Sequence, residues 1–290
     1  MFAINGITGK VGGAAARALL KAGHPVRAVV RDRAKAAAWE ALGVELAVAE
    51  ASDAAALTRA YEGTAGIFVM VPPNFSPDAN YTQARAVSAA QVQAIGAAGV
   101  PRVVALSSIG SEQGSGLGLI TQTHILEQAL AALSVPTAIL RPGWFMENSL
   151  WDIAPARDTG VLGCFLQPLE RAHPMVATQD IGRVVADTLL QSWQGRRVIE
   201  IEGPRRYSQL DVAEAMGRAV GRSVVAQTVP HDTWEALFKA GGTERPAPRI
   251  EMVDGFNTGW IAFDPKSGNE HVTGTTSLDA VLAQLANEAR

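Results

Sequence analysis

The sequence predicts an α/β fold: a doubly wound parallel sheet followed by a smaller C-terminal α+β substrate lobe. Three observations predict it. A glycine-rich turn lies between a strand and a helix at the start of the chain. Short, continuously apolar segments such as 67–71 and 103–106 are typical of parallel strands buried on both faces. Stretches of helical periodicity separate these segments, as expected for repeated β–α units.

Residues 2–33 form the first of these units, in the order strand, glycine turn, helix and strand. From Val11 to Ala22, apolar residues recur at helical spacing and predict one buried stripe. Gly23 and Pro25 end the helix, and a second strand follows at 26–30.

The turn between the first strand and helix suits a dinucleotide, which makes the domain Rossmann-type. Gly6 allows a tight turn, Gly9 lets backbone approach a pyrophosphate, and Gly12 lets the helix lie close to the strand. Free N–H groups at the helix start would face the phosphate charge. The pattern is G-x-x-G-x-x-G, so a glycine turn without a ligand is the alternative. The predicted cofactor-binding residues of this turn are Gly6, Thr8, Gly9, Lys10, Val11 and Gly12.

The residue after the second strand favours NADP(H) over NAD(H). NAD-specific sites place an acidic residue about 20 residues beyond the glycines, on the ribose 2′-hydroxyl. Here Arg31 follows Gly12 by 19 residues, and Arg33 lies close by. A guanidinium binds a phosphate through a fork of two N–H donors, so we expect both arginines to hold a 2′-phosphate. In the alternative they are solvated charges, and Asp32 could still bind the ribose.

The later strands place further candidate residues at the same edge, because ligands bind beyond the carboxyl ends of parallel strands. Strands are predicted at 45–49, 67–71, 103–106, 138–140 and 198–201. Helices are predicted at 34–42, 81–98, 120–133, 209–221, 234–240 and 278–285, and a further helix carries an apolar stripe from Ile181 to Leu189. The predicted cofactor-binding residues at the strand ends are Glu50, Val71, Pro72, Ser107, Trp144 and Phe145, and the predicted substrate-pocket residues are Ser108, Met146 and Asn148.

Two of these assignments have alternatives. Glu50 or Asp53 could meet the adenine edge, whereas Asp53 could instead cap the helix that follows it. The aromatic cluster at 144–146 could line the pocket or could be core that joins the two lobes.

The domain boundary is predicted near Trp151, where prolines and glycines become frequent. Residues 1–150 form the dinucleotide-binding domain, to which 176–202 return, and residues 151–175 and 203–290 form the small lobe. Within that lobe, Ser208 and Asp211 have the spacing of a capping box at a helix start.

Composition excludes several other classes of protein. The net charge of −3 and pI near 6.0 argue against nucleic acid or an anionic membrane as a partner. The single cysteine, Cys164, excludes an intrachain disulfide, and the histidines lack metal-ligand spacing, so no metal site is predicted. No apolar run approaches the length of a membrane span. We expect a cytoplasmic protein with a small-molecule substrate, and a homodimer stays open.

Several motifs make the sequence resemble the NmrA-like branch of the atypical short-chain dehydrogenase/reductases. The resemblance runs from residue 2 to about residue 220. The matching residues are 6–12, 26–32, 106–110, His124, 127–130, 140–148, 180–181 and 202–208. It implies a Rossmann domain, NADP(H) binding and a C-terminal substrate lobe. The family includes reductases of quinones and dyes, and also dinucleotide-binding regulators without evident catalysis.

The chain departs from the wider superfamily in its proton chemistry. Ordinary short-chain dehydrogenases use a Tyr-x-x-x-Lys pair, but the residues four places after the three tyrosines are Ala65, Arg85 and Asp211. Where many NmrA-like reductases carry a lysine, this chain has Thr123. His124 beside it is the candidate general acid, with a helix-surface residue as the alternative.

Hydride transfer to a quinone or a conjugated cation needs no such acid, because water can protonate the product. The sequence therefore predicts an NADPH-dependent oxidoreductase acting on a quinone-like or conjugated small molecule. The alternative is a non-catalytic NADP(H)-binding redox sensor.

Overall fold

The computed structural model describes residues 1–289. Its strands are β1 (Phe2–Asn5), β2 (Val26–Val30), β3 (Glu45–Val48), β4 (Ile67–Val69), β5 (Val103–Leu106), β6 (Thr137–Pro142), β7 (Trp144–Phe145), β8 (Val161–Cys164), β9 (Met175–Val176), β10 (Arg196–Glu202), β11 (Val225–Thr228) and β12 (Glu270–Thr273). Its helices are α1 (Lys10–Lys21), α2 (Ala37–Glu40), α3 (Ala54–Tyr61), α4 (Thr82–Ala98), α5 (Thr121–Leu130), α6 (Ile153–Thr159), α7 (Thr178–Leu190), α8 (Gln209–Val220), α9 (Trp234–Ala240), α10 (Ala247–Thr258) and α11 (Leu278–Glu288).

The central sheet has eight strands in the order β3-β2-β1-β4-β5-β6-β10-β12, and every neighbouring pair is parallel. The strand order reverses between β1 and β4, and this reversal opens a crevice at the carboxyl ends of the two strands. The predicted fold class, a Rossmann-type α/β sheet, is confirmed.

Apolar helix faces cover both sides of this sheet. One core contains residues of α1 and α7, and the other contains residues of α3, α4 and α5. Helices α1 and α7 approach closely at Gly182, where a Cβ would lie 2.4 Å from the Cβ of Ala14. This packing fixes α1, and therefore the glycine turn before it, against the sheet.

The small lobe has its own core around the fully buried Trp234. Two-stranded parallel pairs, β8 with β11 and β7 with β9, lie outside the main sheet. The predicted capping box is confirmed: Ser208 Oγ accepts from Asp211 N, and the Asp211 carboxylate accepts from Ser208 N.

Three expectations need correction. Residues 203–290 do not lie wholly in the small lobe, because β12 pairs with β10 and extends the main sheet. Its sequence, Glu-His-Val-Thr, is exposed at the sheet edge except for the half-buried Val272, and it lacks the apolar run of a buried strand. The predicted helix 34–42 is a 3₁₀ turn, Ala34–Ala36, followed by the short α2. The strand predicted at 67–71 ends at Val69, before Pro72 and Pro73.

Within residues 1–289, no helix is both long enough and apolar enough to cross a membrane.

Candidate dinucleotide and substrate site

The glycine turn after β1 has the geometry of a backbone cradle. Gly6 has a φ of +67°, in the left-handed region that favours glycine. A Cβ on Gly12 would lie 2.4 Å from the carbonyl oxygen of Gly6, so only glycine lets α1 begin this close to β1. A Cβ on Gly9 would meet only the Gly6 oxygen, at 3.3 Å, and Gly9 is exposed.

The start of α1 has unused hydrogen-bond donors. Gly9 is the N-cap and supplies no side-chain acceptor, and the first turn contains no acidic residue. The amides of Lys10, Val11 and Gly12 have no partner inside the helix by virtue of their position. Together with the positive end of the helix dipole, they form a site suited to an anion. Met70, which the sequence reasoning missed, lies beside this turn: a Cβ on Gly6 would be 2.8 Å from its sulfur.

The segment after β2 presents its cations to solvent. Arg31, Arg33 and Lys35 are all exposed, and Arg33 forms an ion pair with Glu40. Asp32 Oδ1 accepts a hydrogen bond from Ala34 N at 2.9 Å, so one of its carboxylate oxygens is engaged within the turn. No ion pair of Arg31 occurs within residues 1–289.

The neighbouring strand ends contribute a mixture of exposed and buried residues. Glu50 is exposed, whereas Asp53 caps α3 by accepting from Ala56 N at 3.0 Å. The cap is thus the observed role of Asp53. Val71 is buried and Pro72 is half-buried in the loop after β4.

A buried charge network lies behind the end of β5. The Ser107 hydroxyl donates to Glu127 Oε1 at 2.5 Å. Arg141 donates two hydrogen bonds to the same carboxylate, from Nε at 2.9 Å and from Nη2 at 2.7 Å. Arg196 Nη2 donates a further hydrogen bond to Glu127 Oε2 at 3.1 Å. The remaining Arg141 nitrogen, Nη1, lies 3.1 Å from Glu112. Because the Ser107 proton is engaged by Glu127, the Ser107 oxygen can only accept from a ligand.

This network shifts the ionisation of its members. Burial would lower the pKa of Arg141, but the hydrogen bond and charge of Glu127 outweigh it and raise that pKa. Burial raises the pKa of Glu112, and the nearby charge of Arg141 opposes the rise. Sequence reasoning did not find this network, because its partners come from a helix and two strands that are distant in the chain.

The hydroxyls at the start of α5 are engaged with one another. Thr123 Oγ1 donates to the carbonyl of Ile120 at 2.8 Å, so the Ser111 hydroxyl, 2.7 Å away, must donate to Thr123. His124 Nδ1 lies 2.8 Å from the Ser111 carbonyl and must therefore carry a proton. Nε2 is then an acceptor in the neutral ring and becomes a donor only in the imidazolium. His124 is half-buried and tied to the loop after β5, and its role as an acid stays a prediction.

The aromatic segment after β6 divides between cleft and core. Trp144 is half-buried and packs edge-on against Phe256 of α10, with ring centroids 5.3 Å apart. Phe145 is half-buried against the core under the sheet. Met146 is only 1% exposed and lies in the small-lobe core, which fits the alternative in which it joins the two lobes. Asn148 is exposed and Ser108 is half-buried.

A parallel sheet with a glycine-rich turn, a free helix start and strand-end loops facing one crevice defines a dinucleotide-binding protein of the Rossmann class. The profile of the NmrA-like family matches residues 1–257, so the match extends beyond the residues that carried the resemblance. The chain belongs to the NmrA-like family.

Relatives of known name are similar over most of the chain. An NAD(P)H azoreductase from Xenophilus azovorans is 29% identical over 225 residues, covering 77% of this chain and 75% of that protein. Quinone oxidoreductase 2 from Escherichia coli is 28% identical over 245 residues, covering 83% and 82%.

Solved structures give the same picture. An NADPH-dependent quinone oxidoreductase from Escherichia coli, complexed with NADPH, superposes with a TM-score of 0.79 at 25% identity and covers 98% of this chain and 99% of its own. The triphenylmethane reductase of Citrobacter, complexed with NADP(H), has a TM-score of 0.80 at 19% identity over 98% and 100% of the two chains, and this likeness shows the fold alone.

Proposed function

We propose that the protein is an NADPH-dependent oxidoreductase that transfers a hydride to a quinone-like or otherwise conjugated small molecule, with water as the source of the product's proton. The observation that carries this proposal is that the hydroxyl groups near the end of β5 already donate their protons to hydrogen bonds inside the protein. The hydroxyls of Ser107, Ser111 and Thr123 all donate within the protein. An acceptor that needs no strong protein acid fits this arrangement best.

The residues present fit the cofactor. The uncapped start of α1 and the glycines before it suit the pyrophosphate, because a side chain at Gly9 would project into the exposed space above the helix start. Arg31 and Arg33, with Lys35 near them, would hold the 2′-phosphate. Val71 and Pro72 would border the ribose, and Glu50 would lie near the adenine. When bound, NADPH supplies the hydride.

The chain's own contribution to the reaction is to position the two reactants. Hydride transfer needs donor and acceptor carbons held about 3–3.5 Å apart, in a site that excludes bulk water. Trp144 and Phe145 offer an apolar surface for a flat conjugated ring. Ser107 would accept a hydrogen bond from the cofactor side, and Ser108 and Asn148 would contact the substrate.

The relatives support this class of substrate. One relative is named an NAD(P)H azoreductase and another a quinone oxidoreductase. The quinone oxidoreductase structure that superposes on this chain is a complex with NADPH. The absence of a Tyr-x-x-x-Lys pair argues against a simple alcohol dehydrogenase.

The test is to follow the loss of NADPH absorbance with purified protein, using a panel of quinones, azo dyes and triphenylmethane dyes, with simple ketones as the negative control. We expect turnover with the conjugated acceptors and none with the ketones. Tight NADPH binding without consumption across the panel would instead support the redox sensor.

A histidine variant separates the two proton sources. With water as the source, His124→Gln keeps turnover with a quinone within about tenfold of the wild type. A general acid contributes about 10²- to 10⁴-fold, so a loss of that size, with a rate that falls as pH rises, would assign the proton to His124.

A further inference from the structure

We propose that Glu40 is a specificity-determining residue that competes with the NADPH 2′-phosphate for Arg33 and so moderates the preference for NADPH over NADH. The proposal rests on the proposed function, because it assumes that Arg33 faces the 2′-phosphate. Glu40 is the last residue of α2 and lies outside both the glycine turn and the segment of cations at 31–35.

The first observation is the ion pair itself. Arg33 Nη2 contacts Glu40 Oε1, and both side chains are substantially exposed, at 59% and 47%. By contrast, neither Arg31 nor Lys35 has an acidic partner within residues 1–289. Of the three cations after β2, Arg33 is therefore the one whose guanidinium is already paired with a carboxylate before NADPH binds.

The second observation is that Glu40 is held in place. Its neighbour Trp39 packs on α1, where the Trp39 Cζ2 lies 3.3 Å from the position of a Cβ on Gly13. The Arg17 guanidinium lies over the same indole, 5.3 Å from the ring centroid. Helix α2 is thus anchored beside the glycine turn, and the carboxylate that follows Trp39 stays near Arg33.

The consequence depends on the nucleotide. We infer that the 2′-phosphate of NADPH competes with Glu40 for the Arg33 guanidinium and lies near the Glu40 charge, whereas NADH makes neither demand. Replacing Glu40 should therefore favour NADPH alone. An exposed ion pair is worth little, so the expected gain is about two- to fivefold in Kd, and it should shrink as salt screens the charges.

The test measures Kd for NADPH and NADH by titration calorimetry at low ionic strength, using the full chain. We expect Glu40→Gln to tighten NADPH binding about two- to fivefold and to leave NADH unchanged. The matched control is Glu45→Gln, which breaks the Arg27–Glu45 pair (2.7 Å) and removes the same charge. This pair lies near the amino ends of β2 and β3, away from the strand ends that face the crevice. Glu45→Gln should change neither Kd.

A double-mutant cycle completes the test. In an Arg33→Ala background, Glu40→Gln should tighten NADPH binding less than it does in the wild type, because the competition for Arg33 is gone and only the repulsion between the Glu40 charge and the phosphate remains. Unchanged or weaker NADPH binding in Glu40→Gln, equal changes with NADH, or an equal gain in Glu45→Gln would overturn the proposal while leaving the proposed function intact. A wild-type protein that binds neither nucleotide would reject both.

Discussion

Substitutions in the glycine turn should separate stability from nucleotide binding. A Cβ at Gly12 would lie 2.4 Å from Gly6 O and 2.7 Å from Gly6 C, whereas ordinary contacts lie at 3.4–4 Å. The Gly12→Ala protein must therefore move α1 away from the turn by about 1 Å, against the packing of α1 on α7. Because the obstructing atoms are backbone, we expect a loss of about 1–3 kcal/mol in the free energy of unfolding.

Gly9→Ala should behave differently. Its Cβ would meet the Gly6 oxygen at 3.3 Å, which needs only a slight adjustment, and its φ of −90° is open to any residue. We expect the free energy of unfolding to change little, whereas NADPH binding weakens because the methyl group stands where the pyrophosphate would approach the helix start.

Urea unfolding and NADPH titration of the two variants form the assay. The control is Gly96→Ala in α4, where nothing lies within 4 Å of the added Cβ, and where we expect a gain of about 0.5–1 kcal/mol. A Gly12→Ala protein as stable as the wild type would refute the close approach. Undiminished NADPH affinity in Gly9→Ala would refute the pyrophosphate site.

Three further substitutions test the surrounding structure. Burial, assisted by the charge of Arg171, lowers the pKa of His173 from 6.5 to about 4, so the stability it contributes above pH 6.5 is lost as pH falls to 4. Chemical unfolding should show that the free energy of unfolding falls by about 3 kcal/mol over this range in the wild type but not in His173→Gln. Burial raises the pKa of Asp152 from 3.8 to about 7, although the charge of Arg249 opposes the rise, so its stabilising contribution is present below pH 3.8 and is lost as pH rises to 7. The free energy of unfolding of Asp152→Asn should therefore increase relative to that of the wild type across this range. A constant difference between the two proteins would contradict the burial of this carboxyl group. Ser208→Ala removes the cap of α8 and should lower the free energy of unfolding by about 1 kcal/mol, whereas an unchanged urea midpoint would show that the capping box contributes nothing.

Local patterns predicted much of the fold. The strands at 26–30 and 103–106 and the helix at 234–240 lie where the sequence places them, because apolar runs and periodic stripes mark them directly. Elements without such a pattern were missed. Helix α10 has no apolar stripe, and β12 is a short, exposed edge strand, so tertiary contacts rather than local sequence define both.

The residues of the candidate site likewise fall into those that the sequence predicts and those that only the folded structure reveals. The glycine turn and the cations after β2 could be found because their chemistry is contiguous in the chain. The Glu127–Arg141 pair and the Arg33–Glu40 pair could not, since each needs a partner whose orientation only the folded chain defines. Met146 is instructive: it stands beside two aromatic residues in sequence, yet the turn after β7 directs it into the core.

The central claim is that the turn after β1 and the cations after β2 bind a dinucleotide that carries a 2′-phosphate. Titration calorimetry of the purified chain with NADPH and NADH, on the wild type and Arg31→Ala, measures this most directly. We expect NADPH to bind more tightly than NADH, and Arg31→Ala to weaken NADPH about 10- to 150-fold with little effect on NADH. Absence of heat with both nucleotides, or equal losses for the two in Arg31→Ala, would contradict the claim.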